Sequence, residues 1–326
     1  MMWDMKTPVR YPLIFNPKAR SQRADRVRRF LMSHAHHFAL YATNHADEAT
    51  ELAASFAEAG EPVVIAAGGD GTLNAVVSGL AGTRTALGIL PAGTMNVFAR
   101  ELGIPFGNLA KAFEVITRGQ VREIDLFTAN GAPFIQMAGV GFDAKVIEET
   151  SWESKKRLGP LAYLLAAVKV LGEKPPEMEV VFADGRVVTG VAVLAGNGSL
   201  YGGQFRLFRK ADNRDSMIDV LIFREHGYKF VLDTMAGLAR GGVDLSQSTA
   251  YFQADALTVR CGADTPVEVD GEWLGRFREV RITESARRLR VLAPPEAPGG
   301  HFVDAIRDLV NWPSQPAELQ STHAGP

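Results

Sequence analysis

The residues best placed to do chemistry lie together in Gly68-Gly69-Asp70-Gly71-Thr72, between the apolar run PVVIAAG (62 to 68) and a segment carrying Leu73, Val76, Val77 and Leu80 at i, i+3, i+4 and i+7. Glycines let backbone approach a bulky ligand, and the free N–H groups where a strand turns into a helix attract an anion. The loop therefore has the makings of a phosphate cradle. Its carboxylate would repel a naked phosphate, so Asp70 makes sense if Mg²⁺ bridges it to the phosphates or if it handles a proton. A purely structural turn needs one glycine, not three around an acid. A second loop, Gly93-Thr94-Met95-Asn96, follows the next apolar run, TALGILP (85 to 91), and brings Gly93, Thr94 and Asn96 to the same edge with hydroxyl and amide groups facing the ligand. Taken alone it would be a helix N-cap. The first apolar run, YPLIF (11 to 15), ends in Asn16-Pro17-Lys18-Ala19-Arg20-Ser21, which places Asn16, Lys18 and Arg20 at that edge as well, within reach of phosphates.

These loops need a frame that aligns them. From residue 10 to 129 the pattern alternates between short apolar runs at 11 to 15, 37 to 43, 62 to 68, 85 to 91 and 121 to 127 and helix-length segments at 21 to 33, 45 to 59, 72 to 81 and 94 to 118. The last is expected to break at Gly103 to Pro105. Alternation of this kind predicts a parallel sheet covered by helices on both faces, with ligands at the carboxyl ends of the strands. After residue 130, helices are expected near 143 to 150, 159 to 171 and 228 to 240. The other apolar runs there are strand-like, with Asp184-Gly185 as a hairpin signal. The expected organisation is an α/β domain over 1 to 129, a mostly antiparallel β-rich domain over 130 to 289, and a segment from 290 to 326 that packs back on the first.

Composition narrows the functional classes. With 326 residues, 46% hydrophobic and 22% charged, the chain can bury a large core, and 35 basic against 37 acidic side chains give no global pull toward nucleic acid. Cys261 is the single cysteine, so one chain can build neither a disulfide framework nor a Cys-ligated zinc site. The first 17 residues lack the apolar stretch of a secretory signal, and the longest apolar run, LAYLLAAV, is far short of the roughly 18 residues of a spanning helix. A cytoplasmic protein is expected.

In chain order, NPKAR, GGDGT, LGILPAGTMNVFARELGIP, GVGFDA, GNGSLYGG, DSMIDV and DGE resemble the blocks of the diacylglycerol kinase catalytic-domain family, from about Tyr11 to Val291. The resemblance implies a nucleotide-binding α/β domain, a β-sandwich domain, and ATP and a lipid meeting in the cleft between them. By position it implies that Asn16, Thr43, Gly68, Gly69, Asp70, Gly71, Thr72, Gly93, Thr94 and Asn96 line the ATP site, with Asp70 working with Mg²⁺. It also implies that Glu272 of Val269-Asp270-Gly271-Glu272 is the general base on the lipid hydroxyl. Without the resemblance, Asp270-Gly271 is an ordinary hairpin signal. Asp215, Met217 and Asp219 match a stretch that in similar enzymes holds a structural Mg²⁺ through carboxylates and a main-chain carbonyl. Two departures stand out: Ser216 where the family commonly has glycine, and Val97 where many members carry aspartate.

The implied activity is ATP- and Mg²⁺-dependent phosphorylation of a lipid hydroxyl at a bilayer surface, most simply that of diacylglycerol. A sphingoid base, phosphatidylglycerol, an isoprenoid alcohol, NAD, or a regulatory protein that binds nucleotide without turnover remain alternatives, and homodimerisation is left open. Membrane contact has two candidates, Lys155-Lys156-Arg157 ahead of the helix at 159 to 171 and the basic face of Arg23, Arg26, Arg28 and Arg29; a solvated face is the simpler account of each. Three further features are discounted. Gly139-Val140-Gly141-Phe142-Asp143-Ala144 fits a dinucleotide fingerprint, but no acid lies about 20 residues beyond it. His34, His36 and His37 sit at a helix end, where exposure to solvent explains them. No P-loop lysine motif or protein-kinase signature is present.

Overall fold

The computed structural model describes residues 10–17, 22–141, 144–145, 175–202, 205–227 and 248–295. The segment basic at 155 to 157 and the expected helices at 159 to 171 and 228 to 240 lie outside these residues, as do Lys18, Arg20 and nearly all of 143 to 150. Residues through Pro294 make one compact unit.

The expected alternation appears in order: β1 (Tyr11–Phe15), α1 (Gln22–Ser33), β2 (Phe38–Ala42), α2 (Ala46–Glu58), β3 (Val63–Gly68), α3 (Asp70–Leu80), β4 (Ala86–Pro91), α4 (Val97–Glu101), α5 (Leu109–Arg118) and β5 (Gln120–Ala129). Strands β2, β1, β3 and β4 lie side by side in that order, all parallel, so the loops that follow them open on one edge. The helix expected over 94 to 118 is two helices separated by 102 to 108, where Gly103 has φ +72 and Pro105 follows. Helix α3 starts at Asp70, two residues earlier than its apolar periodicity suggests, because its first turn is built from the polar loop itself. Its Leu73, Val76, Val77 and Leu80 are buried as the spacing requires.

Beyond β5 the strands β6 (Ala132–Phe134), β7 (Met137–Val140), β8 (Met178–Phe182), β9 (Val187–Gly190), β10 (Ala192–Gly196), β13 (Ile218–Phe223), β14 (Thr249–Ala254), β15 (Ala256–Val269) and β16 (Glu272–Ala293) pair antiparallel, with a separate two-stranded ribbon of β11 (Leu200–Tyr201) and β12 (Phe205–Arg206). The turn at Asp184-Gly185 joins β8 to β9 as its sequence predicts. The fold is thus a parallel α/β region followed by an antiparallel, sandwich-like β region.

Strand β16 joins the two regions. Its first half pairs with β15. Its second half pairs antiparallel with β5 and, at Val291 beside Leu87, parallel with β4. Leu289, Val291, Leu292 and Ala293 are consequently buried in the core shared with β1, β3, β4 and α3, whereas Val280 and Ile282 of the same strand belong to a second core with Val140, Val193, Val220 and Val267. Among the described residues one hydrogen-bonded sheet runs through both regions.

Candidate active site

The glycine loop and the second loop are locked together. The Gly68 carbonyl accepts from Ala92 N (2.9 Å), Gly93 N (3.1 Å) and the Asn96 side-chain amide (2.9 Å). A Cβ on Gly93 would lie 2.4 Å from the Gly69 Cα, so glycine is what lets the two loops touch. Asn96 is fully buried in the left-handed conformation (φ 45, ψ 55), which asparagine tolerates better than most residues. The expectation that its amide faces a ligand needs correcting: the side chain is fully buried and one of its two N–H groups is taken by the Gly68 carbonyl. Its Oδ1 is buried and accepts no hydrogen bond. Thr94 is exposed at the rim.

Asp70 is engaged in the same way. Oδ2 accepts from Asn96 N at 2.9 Å and Oδ1 from Val97 N at 2.8 Å. The carboxylate from the first loop thus caps α4, whose own N-cap side chain makes no capping bond. Each oxygen keeps a lone pair for a further partner. The N-terminus of α3 has no side-chain cap either, and its Gly69, Asp70, Gly71 and Thr72 lie at partly or fully exposed positions. That is the arrangement an anion needs. The Thr72 side chain packs against Gly68, at 2.6 Å from where a Cβ would be. Asn16 follows β1 at the same edge. Buried Thr43 follows β2, and its backbone N–H donates to Phe15 O at 2.9 Å, tying the first two loops together.

Glu272 comes to this edge from the far end of the sequence. Asp270 (φ 49) and Gly271 (φ 83) form the two central residues of a hairpin with both φ positive, a type I′ turn, and Glu272 pairs with Val269 as the first residue of β16. Its Oε1 lies 3.7 Å from the position of a Cβ on Gly71. The hairpin is held by Asp270, whose Oδ2 accepts from Ile135 N (2.9 Å) and Oδ1 from Gln136 N (2.8 Å) and Met137 N (2.9 Å). Burial pushes the Asp270 carboxyl up to about 6 against the pull of those three donors, and the nearby Asp70 charge adds to the rise. The glycine loop, the second loop and Glu272 therefore share one place.

Asp215, Met217 and Asp219 lie elsewhere, on the turn into β13 and at the start of that strand, where Ser216 reaches Asp125. Asp125 is buried, accepts from Ser216 N at 2.6 Å, and pairs with Arg288 at 3.0 Å across the β5/β16 ladder. Ser216 occupies the left-handed turn (φ 59) that glycine would fill more cheaply, and its hydroxyl accepts from Arg288 at 2.9 Å. Asp215 is exposed and caps Met217 N at 3.0 Å, while Asp219 is fully buried and takes the Tyr251 hydroxyl on Oδ1. Burial pushes Asp219 up to about 6, with the Asp215 charge raising it further. Asp219 Oδ2 is buried and accepts no hydrogen bond. An orphaned carboxylate oxygen beside a second carboxylate suits a hard cation, so these residues fit Mg²⁺.

Sequence reading missed four residues that organise the site: Asp125, Glu101, Asn197 and Gln136. Glu101, at the end of α4, accepts from Ser199 Oγ (2.8 Å), Leu200 N (2.8 Å) and Gln136 Nε2 (3.0 Å). Buried Asn197 donates to the carbonyls of Asp125 and Ile135, both at 2.8 Å. The one available signal was asparagine flanked by glycines in Gly196-Asn197-Gly198. The three histidines make ring contacts, His34 stacking on Phe30 at 4.3 Å and His36 tilted against His37 at 4.0 Å. Arg26 donates to Gly107 O. Gly139 and Val140 of the fingerprint-like run lie in β7, where a Cβ on Gly139 would meet Glu268 at 2.7 Å, so this glycine serves sheet packing; Phe142 and Asp143 lie outside the described residues.

Comparison with known proteins bears on the family and the fold. A family model described as "Diacylglycerol kinase catalytic domain" matches residues 10–129, and one described as "YegS C-terminal NAD kinase beta sandwich-like domain" matches 136–293. A diacylglycerol kinase of Bacillus subtilis (strain 168) is 32% identical over 261 residues, covering 78% of this chain and 86% of the relative. One from Staphylococcus saprophyticus is 32% identical over 242 residues, 73% of this chain and 79% of the relative. The crystal structure of a diacylglycerol kinase from Bacillus anthracis superposes with a TM-score of 0.69 at 24% identity, covering 88% of this chain and 97% of that one, a likeness of fold.

Proposed function

Because the chain belongs to the diacylglycerol kinase catalytic-domain family and is thereby a lipid kinase, we propose that it transfers the γ-phosphate of ATP to a lipid hydroxyl, diacylglycerol being the acceptor named for its relatives. The observation that carries this reading is Glu272 beside Gly71, an exposed carboxylate facing the uncapped start of α3.

In this reading the N–H groups of α3 and the glycine loop hold the nucleotide phosphates, with Asn16, Thr43, Thr72, Gly93 and Thr94 along the same edge. Asp70 does two jobs. Its bonds to Asn96 N and Val97 N fix the second loop, and the same carboxylate would help hold a Mg²⁺, which would neutralise charge on the phosphates. Glu272 accepts the proton of the acceptor hydroxyl as oxygen attacks the γ-phosphorus in line. Asp215, the Met217 carbonyl and Asp219 would hold a structural Mg²⁺, with the unpartnered Asp219 Oδ2 as one donor. No helix among the described residues is long and apolar enough to cross a membrane, and the enzyme reaches its substrate from the cytoplasmic surface of the bilayer in this reading.

The test is ³²P transfer from γ-labelled ATP to mixed micelles of diacylglycerol, ceramide, sphingosine, phosphatidylglycerol or undecaprenol, with NAD as soluble control and Glu272→Ala alongside. Labelled phosphatidic acid that is lost in the variant is the expected result. Label only in another lipid reassigns the acceptor, label only in NAD removes the lipid, and ATP binding without product under every condition supports a regulator instead.

A further inference from the structure

We propose that Glu101 is a positioning residue that holds Glu272 against the glycine loop, acting along a path of two hydrogen bonds through Gln136. This rests on the reading of Glu272 as the base. Glu101 Oε2 accepts from the Gln136 side-chain amide at 3.0 Å, and the backbone N–H of that same Gln136 donates to Asp270 Oδ1 at 2.8 Å. Asp270 is two residues from Glu272, across a turn with both φ values positive. Gln136 cannot drift: its amide also donates to Leu200 O at 2.9 Å, its carbonyl accepts from Asn197 N at 2.9 Å, and it fills the space a Cβ on Gly198 would need, at 2.3 Å.

The other end of α4 shows why the position of Glu101 matters. That helix is five residues long, too short to hold a direction by its own hydrogen bonds. Its first N–H groups are fixed by Asp70 of the glycine loop, and its last residue is fixed by Ser199, Leu200 and Gln136. It is therefore a strut between the phosphate-binding loop at one end and the segment carrying the base's hairpin at the other. Three donors converge on the carboxylate at the far end, two on one oxygen and one on the other, so a side chain of this length with two polar atoms is needed there. Alanine would leave all three facing a void and let the 135 to 137 segment, and Glu272 with it, shift against Gly71. A displacement of about 1 Å at a reacting group costs on the order of 10²-fold in rate. Glutamine can keep the arrangement, its oxygen accepting from Leu200 N and Gln136 while its amide donates to the Ser199 hydroxyl.

The experiment compares Glu101→Ala, Glu101→Gln, Glu272→Ala and the double variant Glu101→Ala/Glu272→Ala in the full chain, measuring kcat, KM for MgATP and the melting temperature. Glu101→Ala is expected to lose about 10- to 100-fold in kcat with KM for MgATP within about threefold, and Glu101→Gln to recover to within about threefold of the parent. In the background lacking Glu272, removing Glu101 should change the residual rate by less than about twofold, because a residue that acts through Glu272 has nothing left to act on. An equal loss from Glu101→Ala with and without Glu272 would overturn the proposal in favour of a general structural role. So would a parental kcat in Glu101→Ala while Glu272→Ala is inactive. Full activity in Glu272→Ala would instead remove the base reading and the positioning role with it.

Discussion

The contact between the two glycine loops can be broken in a way that separates structure from chemistry. In Gly93→Ala the new methyl would sit 2.4 Å from the Gly69 Cα, where carbon atoms normally approach to about 3.5 to 4.0 Å. Backbone stands on both sides, so no rotamer relieves the clash and the loops must part by at least about 1 Å. That displacement strains the three hydrogen bonds onto the Gly68 carbonyl, from Ala92, Gly93 and Asn96, and pulls at both bonds from α4 to Asp70. The expected stability loss is roughly 1 to 3 kcal/mol, as for other overpacked sites, with a rate loss of about 10²-fold from the displaced loop. Gly71→Ala is the contrasting change. Its methyl would lie 3.7 Å from Glu272 Oε1, an ordinary contact, and alanine in place of glycine inside α3 favours the helix by roughly 0.5 to 1 kcal/mol. It nonetheless intrudes where phosphate and acceptor oxygen must meet. The pair is read by thermal melting and by initial rates at saturating ATP. Gly93→Ala should lose both, whereas Gly71→Ala should keep or gain stability while losing rate. Parental melting and turnover in Gly93→Ala would refute the contact. A Gly71→Ala protein that loses rate only in proportion to its unfolded fraction would refute the placement of Glu272.

Three further outcomes follow from the same coordinates. Glu272→Gln should lower kcat by about 10²- to 10⁴-fold with little change in ATP affinity by calorimetry, and an unchanged kcat would remove the base. Asp219 carries a carboxyl pushed up to about 6 from 3.8, so the folded state favours its neutral form; its stabilising contribution is complete below about pH 4 and is lost as pH rises through about 6. With chelator present, Asp219→Asn should then be more stable than the parent at pH 7 by about 3 kcal/mol, the shift of roughly two pH units converted at 1.36 kcal/mol each, and this advantage should vanish by pH 4 in urea titrations. A pH-independent difference would show that Asp219 bears no such burial cost. Arg288→Met leaves buried Asp125 without its cation; because the guanidinium is 43% exposed the loss should fall below that of a fully buried pair, at about 2 kcal/mol by urea denaturation, and no loss would mean that solvent already satisfies Asp125.

The parallel strands and the edge they share were legible because buried apolar runs and amphipathic helices impose period and length locally. The turn at Asp270-Gly271 was legible for the same reason, since two adjacent positive φ values leave few residue choices. That Asp70 caps α4 was not legible, because its partners lie 26 and 27 residues away on backbone N–H groups, which every residue but proline carries. Glu101 was invisible on the same account: a glutamate at the end of a short helix looks solvated until three donors from distant segments reach it. The length of β16 was also hidden. Glu284 to Arg288 is polar and breaks the alternation, and the register shift there is where the strand leaves one core for the other.

That register shift has a consequence for catalysis. A base that worked from a loose hairpin would need substrate binding to fix its position, at a cost in binding energy. Here Glu272 begins a strand whose far end, Leu289 to Ala293, is buried beside β4 and β5 in the core that also carries the glycine loop. Glu272 and the glycine loop are therefore joined through the sheet along β16, through α4 by Asp70 and Glu101, and through Asp270 to the start of β7. The bulge itself is pinned by Arg288, which reaches Asp125, Ser216 and Glu284. The same arginine thus ties the register of β16 to the turn ahead of Asp219. If Asp215 and Asp219 take the proposed cation, filling that site should stiffen the turn and, through Ser216 and Arg288, the strand that begins at Glu272. On that argument Mg²⁺ at concentrations too low to saturate ATP should slow amide hydrogen exchange in residues 280 to 290 as well as in 213 to 220, and protection confined to the turn would show that Arg288 does not transmit it.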